Sequence, residues 1–506
     1  MTRAYRLSPT RARLTGRRLP GARCAARAIA MTIIVAPAAM RAQGVRITGT
    51  TWVQSIDLRP LRTDSLPALQ VAGEGNARRS ADGQLVQCPA SSAYCYFSTS
   101  GARVTTTPLL QDLSLVAWGL GRGVSAQAHL RARSTLGGAT ARWPRADDHF
   151  DALDAFVQVD RAHARARIGR QWATNGLGTY NFDGAALLLR RGAHSVEAYG
   201  GRALAQGINE SYTSAEIGAV DDLPPEKDGY LVGVRLRLRP TDVTALSMLY
   251  QRVITGDRSA LYSERVAADA TTRVLGLSLD GATTLDVAGH DVNEARVRVS
   301  RILPHDVRLS LEARRHRPFF ELWTIWGAFS PVGFDEGRAD LGWRAAGTRL
   351  QLAAHGAYRR YDDSDAGVGF LPLRSSGWRA GLDATWLASD RLVASAGSSV
   401  DIGFGSSRSD ASAGLRWRAA ERLSLGGNVS AFQSIYEFRV GTGRVLGATA
   451  DASFRLTPDT RVTVDGALYR HRLDHDAPGT DWSQRRASVR FEWTVGSDPG
   501  LARGRP

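Results

Sequence analysis

In 230-YLVGVRLRLRP-240 a guanidinium recurs at every second position: Arg235, Arg237 and Arg239 alternate with Val234, Leu236 and Leu238. Successive side chains of a strand point to opposite faces, so one face here is aliphatic and the other cationic. The chemistry open to such a row is electrostatic: it orders water and favours anions. The same placement predicts Arg131, Arg133, Arg165, Arg167, Arg296, Arg298, Arg308 and Arg490 on one polar face of their strands. Asp154, Asp160, Glu312, Asp340, Asp451, Asp465 and Glu492 fall on that face too. A second reading therefore stands beside the first: arginines and acids paired across strands, stiffening a wall rather than serving a solute.

Other chemistry finds little support. Carboxylates flank a histidine in 147-DDHF-150 and 474-DHD-476, both expected in solvated loops. The nucleophile elbow and the phosphate loop are absent, so no enzyme is expected. Cys88 and Cys95, in 88-CPASSAYC-95, predict a small loop disulfide once exported. Their spacing does not suit a zinc pair, so no metal and no cofactor are expected.

The elements that would carry the arginines are strands. Alternation returns in 124-VSAQAHLRARS-134, 295-ARVRVS-300, 307-VRLSLEARRH-316, 338-RADLGWR-344 and 486-RASVRFEWTV-495. Tight, turn-forming connections at 121–123, 160–163, 191–193, 240–241, 281–283, 303–306, 346–347, 389–390, 420–421 and 458–459 alternate with long polar ones, among them 55–107, 172–183, 203–228 and 255–270. Ten tight turns imply eleven hairpins. The expected fold is all-β: an antiparallel up-and-down transmembrane β-barrel of about 22 strands, within 20–24. Segments of about ten residues span a bilayer when tilted, and closure pairs every backbone group. A soluble solenoid, propeller or sandwich is the competing class. Trp118, Trp343, Trp386, Trp417 and Trp493 lie near strand ends, as interfacial girdles do, though strands favour aromatics in any case.

So many strands enclose a lumen that side chains alone do not fill. Alternation begins at once in 45-VRITGTTWV-53, which leaves no room for a plug domain. The apolar run 318-PFFELWTIWGAFSPVGF-334 sits on the long-loop side. Its Phe319, Phe320, Trp323, Trp326 and Phe329 are candidates for a constriction folded into the lumen; docking a partner or extending two strands are the other readings.

The formal charge of +16 invites a nucleic-acid reading. Nine of the arginines lie in residues 1–43 with no acid, which leaves +7 for the rest, and no nucleic-acid partner is expected. That basic segment runs into 28-AIAMTIIVAPAA-39, too short to span a bilayer and of signal-peptide length. An Arg-rich organellar presequence is the alternative. The expected organisation is a signal peptide at 1–43, a barrel at 44–495 and a polar tail at 496–506, located in a bacterial outer membrane.

The stretch 165-RARIGRQWATNGLGTYNFDGAALLLRRG-192 is similar to a hairpin of the alginate-export-type outer-membrane porins. That resemblance implies a path for an anionic sugar polymer with Arg165, Arg167 and Arg170 along it. The chain departs from such barrels in running past Trp493 through 496-GSDPGLARGRP-506 instead of ending on an aromatic residue. The expectation is a passive channel for small, anionic solutes. A sheath holding a partner in its lumen, such as a cytochrome or a secreted chain, is the alternative. Expected partners are membrane lipid, the solute, and a periplasmic or lumenal protein.

Overall fold

The computed structural model describes residues 44–58, 61–73, 78–81, 86, 88, 93–100, 102–136, 149–205, 229–255, 260–317, 333–345, 349–362, 375–403, 407–437, 441–473 and 482–496. The strands are β1 Gly44–Leu58, β2 Leu61–Pro67, β3 Tyr94–Ser100, β4 Val104–Gly121, β5 Val124–Leu136, β6 His149–Asp160, β7 Ala164–Asn175 and β8 Gly178–Arg191. There follow β9 His194–Ala205, β10 Gly229–Thr241, β11 Thr244–Thr255, β12 Ala260–Val274, β13 Leu277–Asp286, β14 Asp291–Leu303, β15 Val307–His316 and β16 Phe334–Arg344. The last are β17 Leu350–Tyr361, β18 Ser376–Leu387, β19 Leu392–Ile402, β20 Ser407–Trp417, β21 Leu423–Glu437, β22 Gly441–Thr457, β23 Thr460–Leu473 and β24 Trp482–Gly496.

β1 and β4 to β24 form one 22-stranded antiparallel sheet. Each strand pairs with its neighbours in the chain, and β1 closes the ring by pairing with β24 from Arg46↔Gly496 to Asp57↔Arg485. β2 and β3 form a separate hairpin within the β1–β4 connection. There a disulfide joins Cys88 to Cys95, and Cys95 is fully buried.

Exposure tells inside from outside. On β10, Val232 and Val234 are 51% and 43% exposed, whereas Arg235 between the strands' inner faces is 8% exposed. Large apolar side chains such as Ile168, Val297, Leu382, Val429, Leu446 and Val464 lie exposed on the outer wall. Aromatic rows edge this apolar band. Trp343, Trp386 and Trp417 face outward near the tight-turn end, and Tyr358 and Trp378, register partners on β17 and β18, near the other. Trp118 departs from the girdle expected of it: it alternates onto the inner face, opposite Ser125.

Three connections differ most from expectation. The run 172–183 is no long loop: it is the ends of β7 and β8 around a turn at Gly176–Leu177. Residues 281–283 form no turn; they lie within β13, and the turn falls at Leu275–Gly276, both in the left-handed region (φ 52° and 76°). The run 255–270 is not all loop, because β12 starts at Ala260. Its Ala, Asp and Thr residues alternate too weakly in hydropathy to declare a strand, and the apolar sequence Val274-Leu275-Gly276-Leu277 hides the turn.

Candidate functional site

The inner wall is charged on both signs. Arg131, Arg133, Arg165, Arg167, Arg235, Arg237, Arg296, Arg298, Arg308, Asp340 and Arg490 each alternate with outward-facing neighbours and lie on the inner face. Many are engaged there. Arg131 Nε donates to Asp112 at 2.8 Å. Arg165 and Arg190 share Asp160 at 2.7 and 3.3 Å. Arg133 lies 3.9 Å from Asp151, and Arg235 3.5 Å from Glu197. Arg298 bridges Glu312 (3.0 Å) and Asp340 (4.0 Å), which Arg338 also holds. The deepest acid, Glu336, has a fully buried carboxylate gripped by Arg359 at 2.5 Å and Arg379 at 2.6 Å. Much of the arginine row is thus wall network. Arg237, Arg296, Arg308 and Arg490 make no ion pair among the described residues; Arg490 lies over the Trp52 ring, 5.6 Å from its centroid.

One hairpin leaves the wall. β7 is paired with β6 only from Arg165 to Arg170, and β8 is paired with β9 only from Asn181 onward. Between those limits β7 and β8 pair solely with each other, down to Asn175↔Gly178. The segment from Gln171 to Asn181 therefore projects inward, and it docks on the inner faces of β9 to β12. Its tip residue Leu177 is 3% exposed, packed among Tyr180, Phe182, Tyr199, Leu231, Leu249 and Ala267.

Polar contacts hold the tip in place. Asn175 Nδ2 donates to Tyr199 Oη at 2.9 Å and to Gln251 Oε1 at 3.1 Å, and Tyr199 Oη donates to the same Gln251 oxygen at 2.8 Å. Arg235 Nη2 donates to the Thr174 carbonyl at 2.7 Å, and Arg265 reaches the Leu177 carbonyl at 3.2 Å and the Tyr180 hydroxyl. Asn175 Oδ1 accepts from the Leu177 amide at 2.8 Å, an Asx turn that shapes the tip.

Glycines make the departure from the wall possible. Gly169 has φ +124°, and a Cβ there would sit 2.3 Å from the Ala155 carbonyl oxygen. Its register partner Gly184 would place a Cβ 2.0 Å from the Gly200 oxygen. Only glycine admits this crossing of backbones.

Below the docked tip lies a recess of about 420 Å³ lined by Thr174, Asn175, Ser195, Arg235, Arg237, Ser247 and Asp269, among others. Arg237 stands between Ser195 and Ser247 in register. Hydroxyls beside a guanidinium suit a small oxyanion, and Asp269 bounds the recess with the opposite charge.

The resemblance-derived residues divide. Arg165 and Arg167 face inward, the latter donating to Gln158 at 2.7 Å. Arg170 shares the outer face with Ile168, which is 68% exposed. It forms a two-pronged pair with Asp183 at 2.8 and 2.9 Å. Phe319, Phe320, Trp323, Trp326 and Phe329 lie outside the described residues, as does 474-DHD-476. The sequence reading did not single out Arg190, Arg359 and Arg379, whose alternation was there to be read; it missed Arg265 and Glu336, which fell in stretches expected as long connections, and it missed the inturned hairpin. Its signal was the glycine trio Gly169, Gly184 and Gly201, set where β7, β8 and β9 lie side by side.

No protein-family model matches the chain, and no curated protein does. Among solved structures it is similar to OccK8 (OprE) of Pseudomonas aeruginosa, at 8% identity and TM-score 0.39 over 90% of this chain and 98% of that one. A BenF-like porin from Pseudomonas fluorescens Pf-5 aligns at 7% identity and TM-score 0.40, over 90% and 100%. The siderophore receptor PirA of Pseudomonas aeruginosa aligns at 11% identity and TM-score 0.47, over 89% and 80%. Superpositions this loose carry no residue-level correspondence.

Proposed function

We propose that the protein spans a bacterial outer membrane and conducts small, anionic solutes through its lumen. The observation that carries the reading is the inversion of the wall: apolar side chains face out all around a closed ring, and ionised ones face in. Trp378 and Trp386 edge the apolar band on one strand, eight residues apart. That is about 27 Å along an antiparallel strand. At a tilt of about 40° it spans about 20 Å along the barrel axis, close to the apolar height of outer-membrane barrels. A soluble barrel gains nothing from such a band.

The inturned hairpin favours a channel over a sheath. It occupies space on the inner wall that a lumenal protein would need, and it places a small, Arg-bearing recess beside the path. Anion preference rests on the inner arginines without acid partners among the described residues, Arg237 above all. The likeness of 165–192 to alginate-export-type porins fits a carboxylated sugar as one such solute.

The test is single-channel recording of the refolded protein in a planar bilayer with a salt gradient. Steady conductance with a reversal potential on the anion side is expected. A barrel that is folded by heat-modifiable gel migration yet passes no current overturns the reading.

A further inference from the structure

The outer wall carries a cationic cluster that the passage of solutes does not use. At the long-loop end of β22, β23 and β24, Arg444, Arg470, Arg472 and Arg485 all alternate onto the outer face. They continue the rows of exposed Leu446, Leu468 and Val489. All four arginines are exposed. Arg444 stands directly opposite Arg472 in register. Arg470 is opposite Ser483, and Arg485 is opposite Leu468, one diagonal step away. Arg103 joins them, donating from Nη2 to Ser483 Oγ at 2.8 Å.

Cross-strand neighbours sit about 5 Å apart at Cβ, and like charges facing each other there repel. Among the described residues, Asp57, opposite Arg485, is the one acid on this face of β22, β23, β24 and β1. An arrangement that costs stability in water becomes favourable when a polyanion lies between the guanidinium groups. Its height is specific. The arginines begin where the apolar side chains stop, so they stand at the headgroup level of the leaflet on the long-loop side. At the opposite end of the wall the outward-facing edge is made of aliphatic and aromatic residues, with Arg191 and Arg301 set apart on β8 and β14.

We infer that Arg444, Arg470, Arg472 and Arg485 form a binding site for the phosphate-bearing headgroups of membrane lipid, which fixes the barrel's depth and orientation on that side. Arginine suits this role because its planar fork meets phosphate oxygens in pairs. The inference rests on the membrane-spanning reading above, with lipid rather than solute as the ligand.

The experiment is native mass spectrometry of the full-length protein in phosphatidylcholine micelles doped with phosphatidic acid. Wild type is compared with R444Q/R470Q/R472Q/R485Q and with the opposite-end control R191Q/R301Q. Wild type and the control should retain phosphatidic acid adducts. The quadruple variant should lose most of them, at least a tenfold drop, while phosphatidylcholine adducts stay unchanged. Equal retention by all three proteins overturns the inference. So does displacement of the lipid by inorganic phosphate at equal concentration, since the site would then read phosphate without its acyl chains. The pair R444Q/R472Q, which removes only the directly opposed charges, serves if the quadruple variant does not fold. Conductance of each protein is recorded in parallel, so a failed lipid site with normal current leaves the channel reading standing, and loss of both readouts in wild type sinks both.

Discussion

Leu177→Ala is the sharpest test of the inturned hairpin. The side chain is 3% exposed, held by apolar groups from β8 to β12. Truncating a buried leucine costs about 2–5 kcal/mol. The barrel does not depend on this residue, because β7 and β8 remain paired to each other and to the wall below Arg170 and beyond Asn181. The cost therefore falls on docking. At about 1.4 kcal/mol per factor of ten, the ratio of docked to undocked hairpin should fall about thirtyfold to a few thousandfold. The remaining contacts, from Asn175, Arg235 and Arg265, each contribute about 1–3 kcal/mol, so the tip should exchange between states rather than stay undocked. Single-channel recording should show new transitions to a higher conductance level, with gel migration and melting little changed. Leu189→Ala, which removes a leucine exposed on the outer wall, is the control. If Leu177→Ala conducts at the wild-type level without added transitions, the hairpin is not a constriction and the reasoning fails.

Three further outcomes are expected. Gly184→Ala places a Cβ against the Gly200 carbonyl, so the hairpin should fail to turn inward and mean conductance should rise, whereas unchanged current would mean the backbone relaxes at no cost. Arg237→Gln, beside Ser195 and Ser247, should move the reversal potential toward cations without altering the fold; no movement would mean Arg237 lies off the path. The third concerns Asp362, just beyond β17. Its carboxyl is held below the ordinary carboxylate range by hydrogen bonding from Arg315 (Nη1–Oδ1 2.8 Å), against partial burial. A lowered pKa in the folded state stabilises above the unfolded value, near pH 3.8, and that contribution is lost as pH falls through the lower folded value. The amide of Asp362, which donates to the Gly333 carbonyl at 2.9 Å, should stay protected from hydrogen exchange at neutral pH and lose protection only below about pH 4. Arg315→Gln should abolish that step, and a step that persists would assign it elsewhere.

The barrel was legible because alternation is a local property: Val307–His316 was read residue for residue as a strand, and that is the span of β15. The same rule places every named inner arginine on its face. What alternation does not carry is which charges find each other. Glu336 and Arg379 lie on β16 and β18 with a whole strand between, and only the closed sheet brings them to 2.6 Å. The hairpin was hidden for another reason. Residues 172–183 read as a long polar connection between strands, and whether such a segment stays in the wall or turns in depends on backbone clearance at Gly169 and Gly184. Where β12 carries Ala, Asp and Thr instead of large aliphatic residues, the pattern fell below what local hydropathy resolves.

On the membrane-spanning reading proposed above, the seam between β1 and β24 sets a condition on how the protein enters a bilayer. Twelve register pairs, from the first described strand to the last, close the ring. Until they form, both strands are edges, and each unpaired backbone group in hydrocarbon costs several kcal/mol. Joining ends more than four hundred residues apart in the chain costs only about 5 kcal/mol of loop entropy, since that term grows as a logarithm. The seam's hydrogen bonds outweigh this within a few pairs. A half-built ring is thus a poor lodger in lipid, and the chain has reason to hold its two end strands against a surrogate edge until they can meet each other.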